Sequence, residues 1–169
     1  MNTNRFPMLL VGVVGLAFSL AVADEGKPAG DPDAILGIWE TEHTETNYSH
    51  VEVYKEAGEY HGKVIWLKNP FYPDDDPGGM GGQPRVDLNN SNKSLRTRPV
   101  IGLELMHSFK FDDDEGKWID GRIYDPDNGK EYRCQITLRD PDTLDLYGYV
   151  KIAFIKVGRH TTWTRVRTP

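Results

Sequence analysis

Arg96 and Arg98 stand one residue apart just before Pro99, with Asp87, Asn89 and Asn90 upstream. Guanidinium forks bind carboxylates and phosphates through paired hydrogen bonds, and side-chain amides orient such ligands. These five residues are therefore a candidate anion or carboxylate clamp. The same residues also suit an internal fastener, in which Asp87 pairs an arginine and the asparagines cap a turn. Both readings stay open at this point. A second motif is Tyr124-Asp125-Pro126-Asp127-Asn128-Gly129-Lys130. Its paired carboxylates suggest a cation, but the residue order of a calcium loop and its distal Glu are missing. Pro followed by Asn-Gly predicts a hairpin turn whose Asp and Asn side chains bond their own backbone.

The remaining chemistry is sparse. The histidines, His43, His50, His61, His107 and His160, have no metal-ligand spacing, so neither a metal nor a cofactor is implied. No Gly-x-Ser-x-Gly elbow and no phosphate-binding loop occurs. Cys134, the single cysteine, lies in the alternating run Tyr132, Cys134, Ile136, Leu138 and reads as a buried, inert thiol. An intermolecular disulfide is its rival reading. Trp66, Trp118, Tyr60, Tyr124, Tyr147 and Tyr149 supply aromatic surface for a core or for an apolar pocket with polar handles. Trp66 and Tyr124 accordingly join the candidate ligand-binding set.

Period-two alternation predicts the elements that must position these groups. Strands are expected at 37–42, 49–55, 59–68, 100–111, 117–124, 130–138, 143–150 and 160–166. The third has Tyr60, Gly62, Val64 and Trp66 on one face. The fourth is bent near Gly102 or His107. Ala57-Gly58, Asp112 to Gly116, Asp125 to Gly129 and Arg139 to Asp142 are turn sequences. One connection is long: 69–99 is rich in Pro and Gly in its first half, and Asn92 to Arg96 suits a helical turn capped by Asn89 or Asn90. Short strands joined mostly by hairpins predict an all-β, eight-stranded antiparallel up-and-down barrel with one long loop between strands three and four.

The N-terminus predicts export. Arg5 precedes the uncharged, mostly apolar run from Met8 to Leu20, and Ala21-Val22-Ala23 is a small-x-small cleavage pattern. Residues 1–23 are expected to be a signal peptide, 24–34 a flexible leader and 35–167 a single barrel domain. The destination is the periplasm or the exterior, with no stable membrane span after cleavage. The net charge of −6 argues against nucleic acid as a partner and against docking on anionic lipid.

Gly37-Ile38-Trp39 at the start of strand one and Thr162-Trp163-Thr164-Arg165 on the last strand resemble lipocalin and calycin barrels. That resemblance implies structural closure of one barrel end by Arg165 stacked on Trp39. A wider resemblance runs through Gly62-Lys63-Val64-Ile65-Trp66-Leu67, Asp87-Leu88-Asn89-Asn90, Leu95 to Gly102 and Gly121 to Lys130. It is similar to the bacterial exported family called domain of unknown function 2147, which implies a lipocalin-like fold and no settled activity. The leading expectation is an exported barrel binding a small apolar or amphipathic anionic ligand, hydrophobic or carboxylate-bearing. An envelope interaction module is the second, motivated by the apolar segment Lys151 to Val157. A hydrolase-type enzyme using loop acids and arginines is the third, although no nucleophile–base pair is legible. Oligomeric state is left open.

Overall fold

The computed structural model describes residues 30–44 and 48–167, so the signal-peptide reading of 1–23 and residues 24–29 of the leader lie outside the described residues. Eight antiparallel strands follow one another around a closed barrel. They are β1 (Gly37–Glu40), β2 (Ser49–Glu56), β3 (Glu59–Leu67), β4 (Glu104–Asp112), β5 (Lys117–Asp125), β6 (Lys130–Asp140), β7 (Thr143–Ile152) and β8 (Ile155–Arg165). Alternation decides which side chains face in. Ser49, Val51 and Val53 of β2 are buried, while His50, Glu52 and Tyr54 are less so. Gly121 leaves room for the Phe109 ring, where a Cβ would collide with it.

One end is shut. A short 3-10 turn, Pro32–Ile35, lies under it and buries Ile35 completely. The Trp118 indole donates to the Pro32 carbonyl at 3.1 Å, and the Trp39 indole donates to the Ile35 carbonyl at 2.8 Å. The bonded structure of the barrel thus reaches back to Pro32, before the expected boundary at Ile35. Arg165 lies over this end with its guanidinium carbon 4.1 Å from the Trp39 ring centroid. It donates to Leu36 O at 2.8 Å, Ala34 O at 2.6 Å and Pro141 O at 2.7 Å. Above this seal Val53, Tyr60, Met106, Phe109, Trp118, Cys134, Ile136 and Leu144 fill the interior. Burial pushes the Cys134 thiol up to about 12, so it stays protonated and inert at neutral pH.

Several sequence expectations shift. β1 ends at Glu40 rather than 42. β4 starts at Glu104 rather than 100, because Val100 to Leu103 form a turn clipped to β3. Gly102 N donates to Val64 O at 2.7 Å and Val64 N donates to Leu103 O at 2.9 Å. The irregularity in β4 falls at Ser108, with φ 61°, beside His107 and not at Gly102. β8 starts at Ile155 rather than 160. Trp66 does not share a face with Tyr60 and Val64. His50 pairs with Trp66 and Val51 with Val64, so Ile65 is an extra residue. That bulge reverses the alternation and turns Trp66 outward, where it is 40% exposed.

Replacing Arg165 by Lys keeps the charge but loses the planar fork that spans three carbonyls. Urea denaturation of Arg165→Lys is expected to read about 2 kcal/mol less stability. An unchanged midpoint would mean that the seal does not depend on the guanidinium.

Candidate functional site

The opposite end of the barrel is open. A cavity of about 780 Å³ runs inward from this mouth. Its inner walls include Val64, Leu105, Ile123, Leu146 and Trp163. Its rim is built by the ends of β1 and β2, the long 68–103 connection, the β5–β6 turn and the β7–β8 hairpin. The barrel is therefore filled at its closed end and hollow at its mouth. The inner walls are apolar because β3, β4, β5 and β7 turn Val64, Leu105, Ile123 and Leu146 inward there and β8 adds the Trp163 ring. Gly148, which faces Arg159 across the β7–β8 ladder, leaves space where any other side chain would project.

The rim is polar and mixed in charge. Glu42, Asn89, Asp125, Asp127, Arg85 and Arg159 contribute to it. Most are already engaged. Glu42 accepts from the Thr161 hydroxyl at 3.1 Å, and Asp125 accepts from Asp127 N at 2.9 Å and from the Asn128 amide at 2.7 Å. Arg85 donates to Asn69 O at 2.9 Å and stacks over Tyr72 at 5.1 Å. Arg159 has neither an acceptor nor a carboxylate within bonding distance among the described residues. Sequence reading missed it, because β8 was expected to begin after it.

The predicted clamp residues are brought together, but most lie outside the cavity. Asp87 is fully buried. Its carboxylate takes hydrogen bonds from the Tyr124 hydroxyl at 2.6 Å, the Asn90 amide at 2.7 Å and Arg98 Nε at 2.9 Å, with Arg98 Nη2 at 2.8 Å. Burial first, then the Asp87 hydrogen bond, pushes the Tyr124 hydroxyl above its ordinary range. Arg96 Nε donates to Asn90 O at 2.7 Å. The Asn89 amide donates to Asp127 O at 2.9 Å. Gly129 turns with φ 68° directly against the Asn89 carbonyl, and a Cβ there would collide with it. The network thus ties the long connection to β5 and the β5–β6 turn. Only Asn89 and Tyr124 of the predicted set also line the cavity. Arg96 and Arg98 are turned to protein acceptors, and Trp66 packs outside against His50 at 4.4 Å and Tyr48 at 5.5 Å. The helical turn, Lys93–Leu95, is capped by Asn92 rather than Asn89 or Asn90, with its side chain accepting from Ser94 N.

Each of the five histidines lies near a carboxylate: His43 and His50 by Glu40, His61 by Glu104, His107 by Glu131 and His160 by Asp145. None lines the cavity. No cluster of three potential metal ligands occurs among the described residues. Among them, too, no helix is long and apolar enough to cross a membrane.

A closed eight-stranded meander, sealed at one end by an indole under a guanidinium and hollow at the other, is a lipocalin-like barrel. HP1028 from the human pathogen Helicobacter pylori, described as belonging to the lipocalin family, superposes with a TM-score of 0.62 at 20% identity. The match covers 78% of this chain and 82% of that one, and at this identity it establishes the fold alone. The chain belongs to the family described as "Uncharacterized protein conserved in bacteria (DUF2147)", which matches residues 37–165. No curated protein matches it.

Asp87→Ala removes a buried carboxylate and leaves Tyr124, Asn90 and Arg98 without their shared acceptor. The expected loss is about 2–4 kcal/mol by urea denaturation, with faster proteolysis within 68–86. Unchanged stability and unchanged cleavage would show that the network does not hold the connection in place.

Proposed function

We propose that this protein is an exported barrel that binds a small amphipathic molecule, tail inward and anionic head at the rim. The observation that carries this reading is the open cavity of about 780 Å³, apolar within and polar at its mouth. That volume falls inside the range of about 300–1,000 Å³ typical of small-molecule sites. An anionic head is supported by Arg159, whose guanidinium keeps its full donor capacity while Glu42 and Asp125 are bound internally. Export is supported by the leader pattern from Arg5 to Ala23.

Cis-parinaric acid is the probe of choice, since its tail fluoresces when taken out of water. Saturable binding is expected. Gly148→Leu places a side chain into the cavity, with the new Cβ no closer than 3.7 Å to Ile123. It is expected to weaken the probe by more than about tenfold without lowering stability. Arg159→Gln is expected to weaken the acid by about tenfold and leave its methyl ester unaffected. Absence of saturable binding sinks the proposal. Tighter binding of an alkylammonium probe than of the acid sinks the anionic head.

For export, the protein recovered from the periplasm of an expressing bacterium is expected to begin at Asp24 by intact mass. Retention of residues 1–23 in the cytoplasmic fraction would overturn that part.

A further inference from the structure

The β7–β8 hairpin rises beyond the rim. The last β6–β7 pair is Arg133 with Tyr149, and the β1–β8 pairs are only Trp39 with Arg165 and Glu40 with Thr164. From Val150 to Val157 the chain is therefore a two-stranded ribbon with no strand paired beside it among the described residues, although Lys156 Nζ at its base donates to Gln135 Oε1 of β6 at 2.9 Å. Its sequence reads almost the same in both directions: Val-Lys-Ile-Ala-Phe-Ile-Lys-Val. The register superimposes that symmetry, pairing Val150 with Val157, Lys151 with Lys156 and Ile152 with Ile155. Paired residues share a face, and faces alternate along each strand. The inward row of Leu144, Leu146 and Gly148 thus continues as Val150 and Ile152, flanked by Val157 and Ile155. Two lysines occupy the other face.

Exposed apolar side chains are contiguous in this ribbon, whereas Trp66, Phe71, Leu88, Leu95 and Ile101 are exposed elsewhere. Val150 is 44% exposed, Ile152 61%, Ile155 67% and Val157 51%, and Phe154 at the tip is wholly exposed. No acidic residue lies between Leu146 and His160, a segment that carries Lys151, Lys156 and Arg159. The net charge of −6 is therefore reversed locally at the tip.

We propose that the β7–β8 hairpin is a membrane-surface anchor. It immerses Phe154 and its neighbouring aliphatic side chains in an anionic lipid bilayer, with Lys151 and Lys156 at the headgroups. At about 3.4 Å per residue the apolar part of the ribbon is about 10 Å long, matching the depth to which amphipathic elements sink into the interface. A ribbon of this size is far short of the ~20–30 residues per side of a stable protein interface. Val150 and Val157 also line the cavity. The anchor therefore sets the mouth against the bilayer, and its apolar face gives an acyl chain a continuous path between lipid and barrel. This narrows the ligand to a single-chain membrane amphiphile such as a fatty acid or lysophospholipid. That last step rests on the binding reading above, whereas the docking itself does not.

The test is co-sedimentation of the protein with vesicles of phosphatidylglycerol and phosphatidylethanolamine, beside vesicles of phosphatidylcholine alone. Binding is expected to the anionic vesicles, to fall with added salt and to be weak on phosphatidylcholine. Phe154→Asp is expected to lower partitioning by about tenfold or more. Phe154 packs on nothing, so its thermal midpoint and its cis-parinaric acid affinity in solution are expected to stay unchanged. Lys151→Glu with Lys156→Glu is expected to abolish the preference for anionic lipid. Absence of vesicle binding by a protein that takes up cis-parinaric acid overturns the anchor and leaves the cavity reading intact. Vesicle binding without probe uptake overturns the ligand path and keeps the anchor. A lipid-free dimer by sedimentation equilibrium that Phe154→Asp dissociates shows a second copy covering the ribbon, and also overturns the anchor.

Discussion

Ring closure at the β1–β8 seam is the constraint on which the barrel depends. β1 is only four residues long, and just two of its pairs join it to β8. Backbone hydrogen bonds alone make that seam the thinnest in the ring. Arg165 adds what the ladder lacks. Its planar face covers Trp39, and its donors reach carbonyls before β1 and in the β6–β7 turn. One side chain thereby joins β8, the leading turn and the neighbouring loop. A long interior cannot fill at the mouth and remain a binding space, so the packing that stabilises the barrel is concentrated near this seal.

The polar chemistry obeys a similar division. A long connection carries many backbone groups that need partners, and Asp87 gathers several of its contacts into one buried point. Three side chains converge on that carboxylate. Such a network holds a loop in register, but its donors are then occupied and have little capacity for a ligand. Arg159 sits in the contrary position, on a strand whose neighbour has already ended. Its guanidinium meets the cavity rim and, among the described residues, no carboxylate. The difference between the two arginine sites is one of partners, which spacing in a sequence does not display.

The barrel was largely legible because alternation and turn chemistry agree. Val51 and Val53 alternate with polar neighbours, and Asp125 to Gly129 carries both a fixed proline and Asn-Gly. The failures come from places where one residue breaks the period. Ile65 is such a residue: its bulge sends Trp66 outward although the plain alternation puts it inside. Val100 to Leu103 is apolar enough to imitate a strand, yet its backbone is spent on a turn against β3. The cavity was less legible still. Its lining comes from the ends of most strands and from the long connection, so no local motif marks it. Asn89 was found through its amide and Tyr124 through its aromatic ring, while Gly148 and Arg159 have meaning only in the paired register.

The β7–β8 ribbon is hard to account for by the needs of folding. Its turn holds Ala153 at φ 54°, a conformation that costs a residue with a side chain about 1 kcal/mol. Phe154 in the turn is wholly exposed, and the aliphatic side chains beside it are about half exposed, so little burial offsets their ordering. A ribbon of two strands is itself only marginally stable. A shorter hairpin ending at the rim would remove these costs and leave the seal, the core and the Asp87 network untouched. The extended apolar face makes physical sense in a medium less polar than water. Lysines on its other face then fix which way round that medium is met. The near-symmetric sequence gives both strands the same pattern, so the whole width of the ribbon presents one composition to the surface it meets.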